Sequence, residues 1–161
     1  MKGTTHQIFG VTCYLFSPFN TGHLWLDLPL VAMGALIPDI DHPKSILGRM
    51  VQPISQIIYQ FAGHRGPFHS LLFMGMIGYL LLMLNQFVCQ VIPVAPSNMW
   101  AMLVFGSLTH LLGDSIFGAS GVPLLWPLKF RLKLLPSNFS VGGFTELLFN
   151  ACLCVLCLFK G

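Results

Sequence analysis

Histidine and aspartate recur in this chain where apolar segments begin or end, and these residue types bind divalent metal ions in proteins. Nine of the eleven acidic and histidine residues occupy such positions. They are His6, Asp39, Asp41, His42, His64, His69, His110, Asp114 and Glu146. Ionisable groups are costly near hydrocarbon. Nine of them at one depth therefore need a common reason. Metal coordination is that reason, and the pattern predicts a metal site in a membrane-embedded chain.

Two short motifs concentrate the candidate ligands. His110 and Asp114 are four residues apart, which places both on one face of a helix, about one turn from each other. The run 38–43 (Pro-Asp-Ile-Asp-His-Pro) is denser, and its prolines disfavour a continuing helix. Asp39 or Asp41 alone could be a helix cap, but a cap needs one such residue, whereas the run offers three candidate ligands.

A third motif, His64-Arg65-Gly66-Pro67-Phe68-His69, combines two histidines with an arginine. The planar guanidinium of Arg65 is suited to binding a phosphate or carboxylate through two parallel hydrogen bonds. The alternative role for Arg65 is an interfacial side chain that reaches toward lipid headgroups.

The composition is that of a membrane protein. Charged residues make up 8% of the chain and its mean hydropathy is +0.76, whereas soluble domains contain about 25% charged residues. Residues 1–161 are short enough to form a single integral-membrane domain. The basic clusters lack the aromatic interleaving and fold signatures of nucleic-acid-binding proteins, so we expect no nucleic-acid partner.

The elements that must position these residues are apolar helices. The expected fold class is all-α, a small polytopic membrane helical bundle with three long transmembrane helices at about 68–92, 99–117 and 144–159. Two shorter N-terminal membrane segments, at about 6–19 and 24–37, either cross the bilayer or form a re-entrant hairpin. The segments at 68–92 and 99–117 form a helical hairpin, and the loops on either side of it, around 44–65 and 129–133, together contain six Lys and Arg. By the positive-inside rule, these loops are expected to face the cytoplasm together with the nine polar residues.

The ordered motifs resemble those of a known family. Thr5-His6, the run 36–45, Gly63-His64-Arg65-Gly66, His69-Ser70-Leu71-Leu72, His110-Leu111-Leu112-Gly113-Asp114 and the run 121–127 together are similar to the YdjM family of bacterial inner-membrane proteins. The family is described as metal-dependent hydrolases, and some members are regulated by the SOS repressor LexA. The resemblance implies a multi-pass protein of the bacterial inner membrane, hydrolysis and a metal, but it names no substrate.

The predicted cofactor is a divalent metal, zinc for this mixture of imidazoles and carboxylates, as one or two ions, with manganese as the alternative. The predicted ligands are His6, Asp39, Asp41, His42, His64, His69, His110 and Asp114. Roles as general base, positioning group or substrate-binding group are expected for Asp41, His64, Arg65 and Glu146.

The predicted activity is that of a phosphoesterase or phospholipase-like hydrolase. Its substrate would be a lipid or lipid-linked molecule whose headgroup meets the metal at the cytoplasmic interface of the bilayer. The same metal-and-water chemistry would also serve hydrolysis of an amide or ester bond. Two alternatives come from other classes: a protein that binds or transports a metal without hydrolysis, and a structural scaffold that needs no metal.

Overall fold

The computed structural model describes residues 1–63, 65–92, 97–136 and 142–160, and helices account for most of them. The α-helices in these ranges are α1 (Gly3–Leu15), α2 (Leu24–Gly34), α3 (Ile46–Met50), α4 (Gln52–Ala62), α5 (Leu71–Val91), α6 (Met99–Phe117) and α7 (Gly143–Leu158). Two 3₁₀ turns, Pro38–Asp41 and Pro67–His69, lie between helices. In the described ranges, extended pairing is limited to one isolated antiparallel bridge between Val122 and Leu132. The all-α prediction is therefore confirmed.

Two helices are long and apolar enough to cross a membrane, α5 with 21 residues and α6 with 19. The prediction of three long transmembrane helices and two shorter membrane segments is wrong in number. α7 is apolar but has 16 residues, which span about 24 Å against a hydrocarbon core of about 30 Å. α1 and α2 are shorter still, with 13 and 11 residues. The apolar runs in the sequence extend beyond the helices because terminal apolar residues lie in turns.

Helices α3 and α4 occupy a region that was predicted to be a loop. Ser45 caps α3 by accepting a hydrogen bond from the Gly48 backbone N–H at 2.8 Å. Pro53 lies in the first turn of α4, where its missing N–H is harmless. α4 carries glutamines on one side and exposed Ile54, Ile57 and Phe61 on another, and it packs against the Pro38–Asp41 turn. A search for continuous apolar runs overlooks such a short amphipathic helix.

The centre of the fold is the contact between α2 and α6. A Cβ atom on Gly34 would lie 2.1 Å from the carbonyl oxygen of Leu103, and one on Gly106 would lie 2.1 Å from that of Val31. The two backbones therefore touch, and any side chain at either glycine would force them apart. This contact fixes α6 against the C-terminal end of α2, from which the chain continues into the Pro38–Asp41 turn.

The segment after α6 folds back over the start of α5 and the end of α6. The Leu71 backbone N–H donates to the Leu124 carbonyl at 2.9 Å, and the Leu134 N–H donates to the Ser115 carbonyl at 2.8 Å. Val122 is fully buried against the two helices. The segment thereby brings its own side chains beside the Pro67–His69 turn.

Candidate metal centre

Five of the predicted ligands converge from four elements. His6 comes from α1, Asp39 and His69 from the two 3₁₀ turns, and His110 and Asp114 from α6. They form two overlapping groups, His6 with His110 and Asp114, and Asp39 with His69 and His110, and within each group the potential ligand atoms lie within 4.8 Å of one another. The structure thus brings together residues separated by more than a hundred positions in the sequence.

His110 has the orientation of a metal ligand. Its Nδ1 lies 2.7 Å from the carbonyl oxygen of Ala35, so Nδ1 carries the proton and Nε2 is left with a lone pair. That Nε2 is buried without a hydrogen-bond partner among the described residues. It lies 3.7 Å from Oδ1 of Asp39 and 3.9 Å from Oδ2 of Asp114. The lone pairs of these three atoms therefore lie around one small volume, where a shared cation could bind all of them.

The spacing of these atoms fits a metal ion. The nitrogen-to-oxygen distances of 3.5 to 3.9 Å between the histidines and Asp39 or Asp114 are longer than N–H···O hydrogen bonds of about 2.7–3.2 Å. Two ligands about 2.1 Å from one tetrahedral ion are about 3.4 Å apart. The donor set and its spacing therefore suit zinc or a similar divalent ion.

Asp41 lies behind His69. Its Oδ2 is 3.1 Å from Nδ1 of His69, and the same oxygen accepts a hydrogen bond from the Arg65 backbone N–H at 3.1 Å. The opposite ring nitrogen, Nε2 of His69, lies 3.9 Å from both Asp39 Oδ1 and Asp114 Oδ2. Asp41 was predicted as a ligand or a catalytic group. Its position is suited to orienting the imidazole of His69 and the backbone of Arg65.

Glu146 stands apart from the five-residue cluster and supports His6. Its carboxylate accepts hydrogen bonds from the Lys2 backbone N–H and, at 2.6 Å, from the Thr5 hydroxyl. Burial alone would raise the pKa of Glu146, but these two hydrogen bonds hold it below its usual value. Glu146 thus caps the start of α1, and the His6 ring stacks on His110 with ring centres 3.7 Å apart.

Two predicted ligands remain, His42 and His64. His42 lines the adjoining cavity, with its ring centre 6.3 Å from that of Tyr59, and it belongs to neither ligand group. His64 lies outside the described residues.

A cavity of about 440 Å³ opens onto the cluster. Three residues of the cluster line it, His6, Asp39 and Asp114. Its lining also contains four cations, Lys2, Lys44, Arg49 and Arg65. Such a cavity can hold an anionic group beside the cluster, because its cations outnumber its carboxylates.

Arg65 links this cavity to the cluster. Its Nη2 lies 2.9 Å from Oδ1 of Asp114, and its Nη1 donates to the Ser120 hydroxyl at 2.8 Å. Its backbone has φ of 58°, in the left-handed region that few residues other than glycine adopt. The bond from its N–H to Asp41 and the two guanidinium bonds hold this conformation.

Several supporting groups were missed from the sequence. The Ala35 carbonyl and the Ser120 hydroxyl carry no pattern that would mark them. Thr5 is adjacent to His6 and Lys2 lies four residues before it, and this proximity to a predicted ligand was the available signal. Their role depends on Glu146, which lies on α7 and is distant in sequence.

Comparisons with known proteins agree with this arrangement of motifs. A sequence profile described as "YdjM inner membrane protein" matches residues 1–160. The inner membrane protein YdjM of Escherichia coli (strain K12) is 35% identical over 143 residues, which cover 83% of this chain and 69% of the relative. The Shigella flexneri protein of the same name matches equally.

A more distant bacterium carries a further relative. The uncharacterized protein YvsG of Bacillus subtilis (strain 168) is 33% identical over 150 residues, covering 91% of this chain and 85% of the relative. No solved structure matches the chain. The profile match over nearly the whole length, together with these relatives, shows that the chain belongs to the YdjM family of inner membrane proteins.

Proposed function

We propose that this protein is a membrane-embedded, metal-dependent hydrolase that acts on a phosphoester bond of a lipid or lipid-linked substrate. The observation that carries the proposal is the buried cluster of three histidines and two aspartates that opens onto a cavity lined by four cations. A metal cluster alone would serve many functions. The adjoining positive cavity favours a substrate with a phosphoryl group.

The metal would be held by His6, Asp39, His69, His110 and Asp114. Imidazole and carboxylate ligands suit zinc, with manganese as the alternative, and five ligands are enough for one or two ions. When bound, such an ion acts as a Lewis acid toward a phosphoryl oxygen and activates water as a nucleophile.

The residues around the cavity would bind and orient the substrate. Arg65 is fixed by Asp114 and Ser120, so its planar group is presented to the cavity in one orientation. Lys44 and Arg49 also line the cavity and add positive charge to it. Fixed cations of this kind stabilise the negative charge on a phosphoryl group as its bond is broken.

The position of the cluster in the fold supports a lipid-borne substrate. Both candidate membrane spans have one end at the site, since His69 lies two residues before the start of α5 and Asp114 lies in the last turn of α6. A headgroup could therefore reach the cluster while its hydrocarbon tail stays in the bilayer. The concentration of Lys and Arg around this end favours the cytoplasmic face.

The direct test uses full-length protein purified in detergent. Elemental mass spectrometry should find bound zinc or manganese, and a panel of phosphate-bearing lipids should release phosphate or headgroup. A His110→Ala/Asp114→Ala double variant should lose both properties. His23→Ala removes an exposed imidazole outside the cluster and should keep both. Metal bound by the parent protein without hydrolysis of any lipid would favour the metal-binding or transport alternative. No bound metal, even after reconstitution, would overturn the proposal.

A further inference from the structure

A second cavity, of about 350 Å³, shares Arg65 with the cavity at the metal cluster. Besides Arg65 it is lined by Lys129, Arg131 and Trp126, with no acidic residue among the described side chains around it. Neither the proposed reaction nor the metal cluster uses Lys129, Arg131 or Trp126. Arg65 is paired with Asp114, but no carboxylate lines this cavity beside Lys129 and Arg131, and this excess of positive charge indicates a place for an anion.

Arg65 has the capacity to bind in both cavities. A guanidinium offers five N–H donors. Nη2 is bonded to Asp114 and Nη1 to Ser120, while the buried Nε has no hydrogen-bond partner among the described residues. The Arg65 side chain thus lines both cavities and has N–H donors that are not used within the protein. Anionic groups bound on its two sides would lie next to each other.

The chain segment that lines the second cavity also exposes apolar side chains. Leu125, Leu128 and Phe130 are more than half exposed and alternate with Lys129 and Arg131 along the chain. Exposed apolar side chains interleaved with cations are typical of segments that lie at the interface of a bilayer with its anionic headgroups. A ligand in this cavity can therefore carry its charge inward and its hydrocarbon outward.

We propose that the substrate carries two adjacent anionic phosphoryl groups, as in a diphosphate ester, and that the second group binds between Arg65, Lys129 and Arg131. The inference rests on the proposed function and narrows it, because a ligand with one phosphate would leave the second cavity without its anion. Trp126 forms the wall beside the second group. The same chemistry is present in a lipid diphosphate and in free diphosphate.

The experiment measures anion binding by calorimetry on the metal-loaded, full-length protein in detergent. The probes are inorganic phosphate and methylenediphosphonate, which cannot be hydrolysed between its phosphorus atoms, so binding is separated from turnover. A Lys129→Gln/Arg131→Gln variant removes two cations of the second cavity. A Lys133→Gln/Lys160→Gln variant removes the same charge from residues that do not line it. Excess metal in the buffer keeps the cluster loaded.

The first variant should bind methylenediphosphonate about tenfold more weakly than the parent while its phosphate affinity changes by less than about threefold. The control variant should keep both affinities. A parallel pair of prenyl monophosphate and prenyl diphosphate in mixed micelles identifies the source. If the prenyl pair shows a larger preference for the diphosphate than the pair of free anions does, the result supports a lipid ligand. If the two preferences are equal, the result supports the soluble form of the same chemistry.

Three results would overturn the inference. If the parent binds both free anions equally, the second cavity holds no second phosphoryl group, and the proposed function stands. If both charge variants weaken binding alike, general electrostatics accounts for the effect. If neither anion binds and elemental analysis finds no metal, the proposed function fails together with the inference.

Discussion

Two buried aspartates, Asp114 and Asp27, are each 1% exposed, yet their surroundings differ in kind. Asp27 accepts hydrogen bonds from the Tyr14 hydroxyl at 2.7 Å and from the Thr21 hydroxyl. Asp114 faces the rings of His6, His69 and His110 at 3.5 to 3.9 Å. α1 carries a partner for each, His6 and Tyr14, about 12 Å apart along the helix axis.

The comparison teaches that burial of a carboxylate does not mark a metal site. Hydroxyl groups donate protons, so Tyr14 and Thr21 satisfy Asp27 within the protein. The Nε2 of His110 is an acceptor like the carboxylate it faces, because its Nδ1 proton is directed to Ala35. Asp27 thus belongs to a structural hydrogen-bond network, whereas Asp114 belongs to a group of residues that could hold a metal ion.

The largest effect is expected from Asp114→Asn. The amide keeps the shape of the side chain but loses the charge that binds a metal and pairs with Arg65 at 2.9 Å. Metal content should fall close to zero and hydrolysis by at least about 100-fold, as measured by elemental mass spectrometry and a phosphate-release assay. Asp27→Asn is the matched control and should retain its metal. Equal metal loss in the two variants would erase the distinction between the regions.

Asp41→Asn should weaken metal binding without abolishing it. The amide oxygen can take the place of Oδ2, but it carries no charge, so its hydrogen bonds to His69 Nδ1 and to the Arg65 N–H are weaker and the imidazole is held less firmly. We expect metal affinity to fall by about 10- to 100-fold, measured by competition with a chelator, at unchanged stoichiometry. A complete loss of metal, as in Asp114→Asn, would show that Asp41 is itself a ligand.

A smaller effect is expected from Thr5→Val, which removes the hydroxyl between Glu146 and Asn150 but keeps the side-chain volume. The support of His6 weakens, and metal affinity should drop by about threefold with about 1 kcal/mol lost from the free energy of unfolding. Chelator competition and denaturant titration measure these two quantities. Thr4→Val changes an exposed neighbour and should alter neither. A metal affinity identical to the parent's would mean that Glu146 and Thr5 serve α1 alone.

Tyr14→Phe should leave the metal untouched. It removes the phenol that donates to Asp27, which costs about 1–3 kcal/mol because a buried carboxylate loses a donor. Thermal unfolding in detergent should show the lower stability, and elemental analysis should show parent-level metal. Metal loss in this variant would indicate that the two ends of α1 are coupled.

Much of the architecture could be predicted because apolar runs with polar ends are local signals. The predicted helix at 99–117 has the bounds of α6, and the five clustered residues were all among the candidate ligands. What could not be predicted depends on tertiary contacts. Nothing local distinguishes Asp39, which faces the cluster, from Asp41, which lies behind His69, since both follow the same proline within three residues.

Glu146 shows the same limit of local reasoning. Its place at the start of an apolar segment matched that of His6, and only the packing of α7 against α1 reveals that it caps a helix. α4 was missed for a different reason. Its stability depends on packing against the Pro38–Asp41 turn, and its mixed composition resembles that of a loop.

The glycine contact between α2 and α6 has a consequence for which ions the protein can select. Gly34 and Gly106 bring two backbones into contact, so the helix that carries His110 and Asp114 packs tightly against the helix that leads into Asp39. Ligands on helices packed this closely would resist spreading around a larger ion. Discrimination against calcium, whose oxygen ligands lie at about 2.3–2.6 Å, would then come from helix packing well away from the ligands themselves.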